Sequence, residues 1–317
     1  MYIKNNNILI LGGCGYVGSV LSNFLSEKGY KITVIDSQWF GKNIKENKNL
    51  KIIKKDIRNL DDFSFKNFKT VIHLANIAND PSVELNPNLS WEVNVFSTYS
   101  LITKSIKDGV SQFIYASSGS VYGVKKEREV TEDLELKPVS IYNKTKMISE
   151  RILMSFKDQI KVHCIRPATV CGLSPRMRFD VSVNLLTYQA LSRRKMVLFG
   201  GQQIRPNIHI KDLVNVYYFF LRKNIPSGFY NAGFENLSIK KISEKINKFI
   251  PSKIITKKVI DIRSYRQSSK KLIQIGFKPK YTVEDAILEI KKSYNKNKIN
   301  NKKINNTVLW MKKNKIK

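Results

Sequence analysis

The feature that most constrains this chain is a cluster of glycines between an apolar run and a segment with helical periodicity. Residues 7–11 have strand length and are mostly apolar, and residues 12–18, Gly-Gly-Cys-Gly-Tyr-Val-Gly, follow directly. Residues 17–25 repeat apolar side chains at helical spacing, and a second apolar run, 31–36, ends on Asp36. This order predicts a strand, a tight turn, a helix and a second strand.

The glycines lie where a bound phosphate would need close access to the backbone. Glycine permits such an approach, and the unpaired N–H groups at the start of a helix attract negative charge. Asp36 is placed to accept hydrogen bonds from the hydroxyls of an adenosine ribose, and its charge would repel a 2′-phosphate. The pattern therefore predicts a dinucleotide, NAD rather than NADP. The loop residues predicted to bind it are Gly12, Gly15, Tyr16, Val17 and Gly18.

Strand-like and helical segments continue to alternate up to about residue 166. Further strands are predicted at residues 50–55, 70–75, 112–116 and 161–166. Such alternation predicts a parallel sheet covered by helices on both faces, which is a Rossmann-like doubly wound α/β fold. Ligands bind beyond the carboxyl ends of such strands, so the glycine loop, Asp36, Asp56, Ala75 and the serines at 117–120 should share one rim.

Beyond residue 166 the alternation loosens, which predicts a smaller second lobe. We expect residues 1–166, together with about 204–226, to form the dinucleotide-binding domain. Residues 167–203 and 227–290 are expected to form an α+β substrate lobe that closes over the rim of the sheet. Residues 291–317 are rich in Lys and Asn and are expected to form a basic tail.

The formal net charge of +31 raises the question of a polyanionic partner. The lysines are interleaved with Asn and Ile along the whole chain, which indicates a composition bias and does not favour nucleic acid binding as the main function. The charge would still attract a substrate that carries a diphosphate.

Localisation and metal binding are also constrained by composition. No apolar run approaches the roughly 20 residues needed to span a bilayer, and no export leader is evident. Cys14, Cys164 and Cys171 are too few and too far apart for a metal site, and we expect reduced thiols. The chain is therefore predicted to be cytoplasmic, without a membrane span and without a metal.

Tyr142 and Lys146 are four residues apart in a helix predicted from residue 138 to about 156, so their side chains share one face. A nearby ammonium and a nicotinamide cation would both favour the phenolate and lower the pKa of Tyr142. Tyr142 would then take a proton from a sugar hydroxyl, and Ser118 would donate a hydrogen bond to the same oxygen. Each motif also occurs by chance; their order after a dinucleotide loop favours a catalytic role.

Three motifs together resemble the extended short-chain dehydrogenase/reductase family, in its nucleotide-sugar epimerase/dehydratase branch. These motifs are Gly12-x-x-Gly15-x-x-Gly18, Ser118 three residues before Val121-Tyr122-Gly123, and Tyr142-x-x-x-Lys146. The resemblance runs from about residue 7 to about residue 290. It implies bound NAD, a nucleotide-sugar substrate, a setting in polysaccharide biosynthesis, and a homodimer formed through the helices at 89–107 and 140–156.

The resemblance also implies roles for individual residues. Tyr142 and Lys146 would bind the cofactor as well as act in catalysis, and Ser118 would contact the substrate. The further cofactor residues implied are Asp56 and Ile57 at the adenine, Leu74 and Ala75 along the cleft, and Asn94 as a support. The substrate diphosphate is assigned to Arg205 and Arg263, with Arg176 and Arg178 as further candidates.

Departures from the family pattern narrow the reaction. Dehydratases of this branch carry Asp-Glu after the catalytic Ser or Thr, and decarboxylases carry Glu at the second position; here these residues are Gly119 and Ser120. Neither can move a proton as a carboxyl group can, so both reactions are disfavoured. The segment Arg166-Pro-Ala-Thr169 lacks the asparagine of typical galactose-type epimerases, which leaves the sugar open.

The sequence therefore predicts an NAD-dependent nucleotide-sugar epimerase, with inversion at C4 favoured, acting by transient oxidation to a keto sugar. One alternative is a nucleotide-4-keto-sugar reductase or a sugar dehydrogenase that exchanges NAD(P) at each turnover. Another is a non-catalytic protein that binds NAD or uses its basic tail for interaction.

Overall fold

The structure is a computed structural model that describes residues 6–259, 264–299 and 302–316. The strands are β1 (Asn7–Leu11), β2 (Lys31–Asp36), β3 (Leu50–Lys54), β4 (Thr70–His73), β5 (Gln112–Ala116), β6 (Lys161–Pro167), β7 (Thr169–Cys171), β8 (Lys195–Phe199), β9 (Ile204–His209), β10 (Gly228–Ala232), β11 (Glu235–Ser238) and β12 (Lys253–Lys257). The α-helices are α1 (Tyr16–Glu27), α2 (Asp80–Val83), α3 (Pro87–Trp91), α4 (Ser97–Lys107), α5 (Ile141–Ser155), α6 (Ser182–Arg193), α7 (Ile210–Arg222), α8 (Ile239–Phe249), α9 (Lys270–Gln274), α10 (Val283–Asn295) and α11 (Thr307–Lys313).

A seven-stranded parallel sheet in the order β10-β6-β5-β4-β1-β2-β3 forms the main layer. Its central strands are buried on both faces, because successive side chains point to opposite sides and helices cover each side. In β1, Ile8 and Ile10 pack into one hydrophobic core, whereas Leu9 and Leu11 pack into the other. The predicted Rossmann-like α/β fold is confirmed.

The return of the chain to the main sheet differs from the prediction. Residues 204–226 were expected to return as a unit, but β9 joins a separate three-stranded sheet, β11-β9-β7, and only α7 packs on the main sheet. The seventh strand is β10, which lies in the range predicted for the substrate lobe and pairs with β6. Its Tyr230 ring contacts Phe220 of α7 at 4.9 Å, so strand and helix return together.

The second lobe has its own hydrophobic core. It is formed by α6, α8, α10 and β8, and the mostly exposed β12 pairs with β8 in a two-stranded parallel sheet. The Ser238 hydroxyl accepts a hydrogen bond from the backbone N–H of Lys241 at 3.1 Å, as expected for a helix cap at the start of α8. The predicted boundary at residue 290 falls inside α10, because Ile287 and Ile290 of that helix are both fully buried.

One predicted helix differs in the structure. The segment 89–107 is interrupted by a π-helical turn at Glu92–Phe96, between α3 and α4. Before β4, residues 61–68 form no helix, and the backbone N–H of Phe65 donates to the Asp108 carboxylate at 2.6 Å. Among the described helices, none is long and apolar enough to cross a membrane.

Candidate active site

The glycine loop between β1 and α1 is packed too tightly for side chains. Gly12 has a φ of +86°, and a Cβ atom there would lie 2.5 Å from the backbone nitrogen of Ala75. A Cβ at Gly18 would lie 2.2 Å from the carbonyl oxygen of Gly12. Gly15 precedes α1 and has no side chain to cap it, so the first N–H groups of the helix face the cleft. The loop therefore offers backbone donors to an anion.

Asp36 is held at the end of β2 by two backbone groups. Its Oδ2 accepts a hydrogen bond from the N–H of Cys14 at 2.9 Å, and its Oδ1 accepts one from Gln38 at 2.7 Å. Burial raises the pKa of Asp36, while these two hydrogen bonds and the charge of Arg176 lower it. Each oxygen keeps a lone pair that can accept a ribose hydroxyl.

One continuous cleft brings the predicted cofactor residues together. It runs from Asp36 past the glycine loop to Tyr142 and Lys146. Its lining includes the predicted residues Gly12, Gly15, Tyr16, Val17, Gly18, Asp36, Asp56, Ile57, Leu74, Ala75, Ser118, Tyr142 and Lys146.

Asn94 is outside this lining and lies behind it. Its Oδ1 accepts a hydrogen bond from the N–H of Ile77 at 2.8 Å, and its Nδ2 donates to the carbonyl of Ile77 at 3.1 Å and to Thr145 Oγ1 at 3.2 Å. The π-helical turn places Asn94 between the loop that follows β4 and helix α5. Asn94 therefore links this loop to α5 behind the cleft, and its support of the cofactor stays a prediction.

Tyr142 lies in the first turn of α5, whose start is fixed by the Ser140 hydroxyl. Burial raises the pKa of Tyr142 to about 12, against smaller lowering by a hydrogen bond with Ser118 and by the charge of Arg178. In the protein by itself the pKa of Tyr142 is therefore above its ordinary value. The lowering expected from Lys146 and from a bound nicotinamide stays a prediction.

Lys146 is buried one turn further along α5. Its Nζ donates to the carbonyl of Ala116 at 2.6 Å and lies 6.0 Å from the centre of the Tyr142 ring. Burial lowers the pKa of Lys146 to about 7, although the charge of Glu150 opposes the shift. Glu150 in turn forms a buried two-pronged ion pair with Arg166 of β6, at 2.8 Å for each contact, which fastens α5 to the sheet.

Ser118 caps a short 3-10 helix at the end of β5. Its hydroxyl accepts a hydrogen bond from the N–H of Ser120 at 3.1 Å and lies 2.8 Å from the Ser120 hydroxyl. A Cβ at Gly119 would come within 2.7 Å of Oε1 of Gln267 and 3.1 Å of the Tyr265 hydroxyl. The space beside Ser118 is therefore filled from another part of the chain, and a side chain at position 119 would require Gln267 to shift.

The arginines predicted to bind the substrate lie at different parts of the cleft and its surroundings. Arg176 is buried, lies 4.2 Å from the centre of the Phe40 ring and is on the Asp36 side of the cleft. Arg178 is paired with Asp180 at 2.8 Å on the Tyr142 side. Arg205 lines a second groove next to the cleft, together with Asp180 and residues 306 and 308–309. Arg263 lies outside the described residues.

Several residues that line the cleft were missed from the sequence. Asp180 and Thr307 meet there from segments 127 positions apart, and no local pattern predicts this contact. Met311 contributes from the predicted tail. Trp39 and Phe40 lie in the polar connection after β2, where their aromatic character was the only available signal.

His73 and His163 are buried, and neither lines the cleft. Burial lowers the pKa of His73 to about 3 and that of His163 to about 4, so both are neutral at pH 7. His73 is hydrogen-bonded to Thr98 at 3.1 Å and His163 to the carbonyl of Ile225 at 3.0 Å. In the described part of the chain, no three His, Cys, Asp or Glu side chains form a group that could hold a metal ion.

The rim of the doubly wound sheet carries a glycine loop and an aspartate after the second strand, and the same cleft contains Ser118, Tyr142 and Lys146. Together these features define a dinucleotide-dependent enzyme. The chain belongs to the NAD dependent epimerase/dehydratase family, whose model matches residues 8–233. The predicted family, the enzyme class and the NAD cofactor are thereby confirmed.

Curated relatives align over most of the chain. A UDP-glucose 4-epimerase of Halalkalibacterium halodurans is 29% identical over 313 residues, covering 89% of this chain and 93% of the relative. A UDP-glucose 4-epimerase of Corynebacterium glutamicum is 26% identical over 311 residues, covering 88% and 94%.

Solved structures extend the likeness to the whole fold. The UDP-glucose 4-epimerase of Thermotoga maritima with UDP-glucose has a TM-score of 0.84 at 25% identity, covering 92% of this chain and 99% of that one. The Thermus thermophilus UDP-glucose 4-epimerase in complex with NAD has a TM-score of 0.80 at 21% identity, covering 90% and 99%, and shows the same fold.

The residues present fit NAD. Gly15 opens the start of α1 to a pyrophosphate, Asp36 offers acceptors to a ribose, and Lys146 and Tyr142 lie at the opposite end of the same cleft. The buried Arg176 has an Nε atom without a hydrogen-bond partner among the described residues, so a further donor is available beside Asp36.

Proposed function

We propose that this chain is a nucleotide-sugar 4-epimerase. The observation that carries the proposal is the convergence of Ser118, Tyr142 and Lys146 at one end of the cleft whose other end holds Asp36. The alignment of UDP-glucose 4-epimerases along nearly the whole chain supports it.

Each residue has a chemical task in this proposal. When bound, NAD accepts a hydride from the sugar carbon and later returns it. Tyr142 takes the proton of the C4 hydroxyl and gives it back when the opposite configuration forms, and Ser118 donates a hydrogen bond to the same oxygen. Positioned proton transfer of this kind contributes roughly 10²–10⁴ in rate. Lys146 binds the nicotinamide ribose.

The pKa of Tyr142, raised to about 12 by burial, means that the phenol is neutral at pH 7 in the protein by itself. To act as a base, Tyr142 needs positive charge nearby. Arg178 supplies part of it from the chain, since its charge already lowers this pKa.

The substrate diphosphate is proposed to lie in the groove lined by Arg205. This groove adjoins the cleft through the residues that line both, which are Asn79, Asp80, Thr169, Asp180 and Val181. A guanidinium is suited to bind two phosphate oxygens at once. Arg178, and Arg263 by family resemblance, are the further proposed contacts.

A dehydratase is disfavoured because Gly119 and Ser120 stand where dehydratases of this branch carry Asp-Glu, and neither can move a proton as a carboxyl group can. The reductase or dehydrogenase with an exchanging cofactor remains the second candidate, since it would use the same Ser118, Tyr142 and Lys146.

The assembly and setting stay predictions from the sequence. Phe96 and Tyr99 are 63% and 53% exposed on the segment predicted to form a homodimer, which supports a partner surface there. The cytoplasmic location and the role in polysaccharide biosynthesis have no further support.

The test begins with denaturing the purified protein and quantifying the released nicotinamide nucleotide. About one NAD(H) per chain, followed by inversion at C4 when UDP-, GDP-, CDP- and dTDP-sugars are screened with added NAD, is the expected result. Net production of a reduced or oxidised sugar only with stoichiometric NADH or NAD would favour the second candidate. Release of NADP would contradict the role of Asp36.

A further inference from the structure

The segment 302–316 folds back onto the mouth of the cofactor cleft. Its helix α11 places Thr307 and Met311 in the cleft lining together with Asp36 and Ile57. These two side chains are 6% and 2% exposed, respectively. A segment that the composition predicts to be a solvated basic tail therefore forms part of a binding-site wall.

Hydrogen bonds attach the beginning of this segment to the substrate side. The N–H of Phe179 donates to the carbonyl of Asn305 at 2.8 Å, and the N–H of Thr307 donates to the Asp180 carboxylate at 3.2 Å. Arg176, on the Asp36 side of the cleft, donates to the Thr307 hydroxyl at 3.1 Å, so Thr307 is held from both sides. Asp180 and Arg176 also line the cleft, so the attachment points are themselves site residues.

The middle of the segment is attached to the adenosine side. The indole N–H of Trp310 donates to the carbonyl of Trp39 at 2.5 Å, and Trp39 lies in the connection after β2 that lines the cleft. Met311 packs in the same hydrophobic cluster as Ile57, the residue implied to contact adenine. Helix α11 thus spans the cleft from Asp180 to Trp39.

The contacts on the two sides of α11 separate two compartments. Thr307 and Met311 line the cofactor cleft, whereas Asn306, Val308 and Leu309 line the groove that contains Arg205. The segment is fastened by a few hydrogen bonds and one buried methionine. Such an attachment can open locally without unfolding the main sheet.

We propose that the segment 302–316 is a cofactor-retaining part of the NAD site: it closes over the ribose and adenine end and must detach before NAD leaves. The proposal rests on the proposed function in one respect, since an epimerase that regenerates its cofactor within each turnover gains from slow release. Thr307 and Met311 are then NAD-contacting residues, and Trp310 is a positioning residue that acts through Trp39.

The test measures NAD release directly. Wild-type protein loaded with isotopically labelled NAD is chased with excess unlabelled NAD, and the retained label is followed over time. Deletion of residues 302–317 is expected to speed release about tenfold or more, and Trp310→Phe, which removes the indole N–H and leaves a smaller aromatic ring, about threefold. Met311→Ala should fall between them. Lys313→Ala, an exposed change in the same helix, should release NAD at the wild-type rate.

Hydrogen exchange supplies a second readout, which would not change if the segment 302–316 had only a structural role. Addition of NAD should slow amide exchange in 307–313 of the wild type, and this protection should be reduced in Trp310→Phe. If the deletion variant does not fold, as judged by its thermal melt, the NAD release rates of Trp310→Phe and Met311→Ala test the proposal.

Release rates of the deletion, Trp310→Phe and Met311→Ala variants within twofold of wild type, with no NAD-dependent protection of 307–313, would overturn the proposal. Failure of the proposed function is distinguishable: it would be absence of epimerisation in a wild type that still retains NAD. Conversely, an active epimerase whose NAD release is unaffected by these changes retains its function and loses only this inference.

Discussion

The two halves of the active-site cleft are built by different means. The cofactor half is built mainly from backbone: backbone atoms lie 2.5 Å and 2.2 Å from where Cβ atoms added at Gly12 and Gly18 would be, and two N–H groups fix Asp36. The substrate half consists of charged side chains: Arg178 and Asp180 come from one segment, and Arg205 comes from β9. Added side-chain volume should therefore disrupt the cofactor half, whereas removal of a charge should weaken binding in the substrate half.

The largest expected effect is at the junction of the halves. Tyr142→Phe removes the hydroxyl that moves the proton but keeps the ring, so kcat should fall roughly 10²–10⁴-fold while NAD stays bound. The epimerisation rate measures kcat, and the NAD content per chain measures cofactor binding. Tyr188→Phe, in the second lobe, is the control and should keep its activity; near-normal turnover by Tyr142→Phe would exclude it as the base.

The cofactor half is tested with a pair of glycines. Gly12→Ala combines a left-handed backbone with a clash at Ala75, which together should lower the free energy of unfolding by about 2–5 kcal/mol. Gly109→Ala has a similar φ of +78° and open space around it, so only the backbone cost of about 1–2 kcal/mol is expected. Urea unfolding measures both. Equal losses would mean that the close packing of the loop contributes nothing.

The substrate half is tested by removing one charge. Arg205→Met should raise KM for the nucleotide sugar about 10–100-fold, since a hydrogen bond to a charged group is worth roughly 1.5–3 kcal/mol. Its NAD content should not change. Arg222→Met, on the outer end of α7, is the matched control and should leave KM as it is. An unchanged KM in Arg205→Met would place the diphosphate elsewhere.

A final effect, on stability and not on turnover, concerns Lys146, whose pKa is lowered to about 7 by burial. Between pH 7 and 10 the unfolded chain holds this proton and the folded chain does not, so stability rises with pH by at most about 1.4 kcal/mol per unit. Below pH 7 both states are protonated and the contribution is constant. In NAD-free protein, Lys146→Met should remove this rise; parallel urea profiles of the two proteins from pH 6 to 10 would contradict the lowered pKa.

Much of the cofactor half could be predicted from the sequence alone. Strand, glycine loop, helix and Asp36 are consecutive, so local periodicity and turn chemistry already fix their order at the rim. The four-residue spacing of Tyr142 and Lys146 likewise fixes their common face once α5 is predicted. Such features depend on near neighbours in the chain, which is why a sequence suffices for them.

Other features depended on distant contacts and were decided only by the tertiary structure. The pairing of β10 with β6, the closing of Gly119 by Gln267, and the seating of α11 over the cleft join residues far apart in sequence. The pKa of Tyr142 belongs to the same group, because burial, which no local pattern reports, outweighs the neighbouring charges. The sequence determined which groups are available; packing determined which of them meet, and how far water is excluded from them.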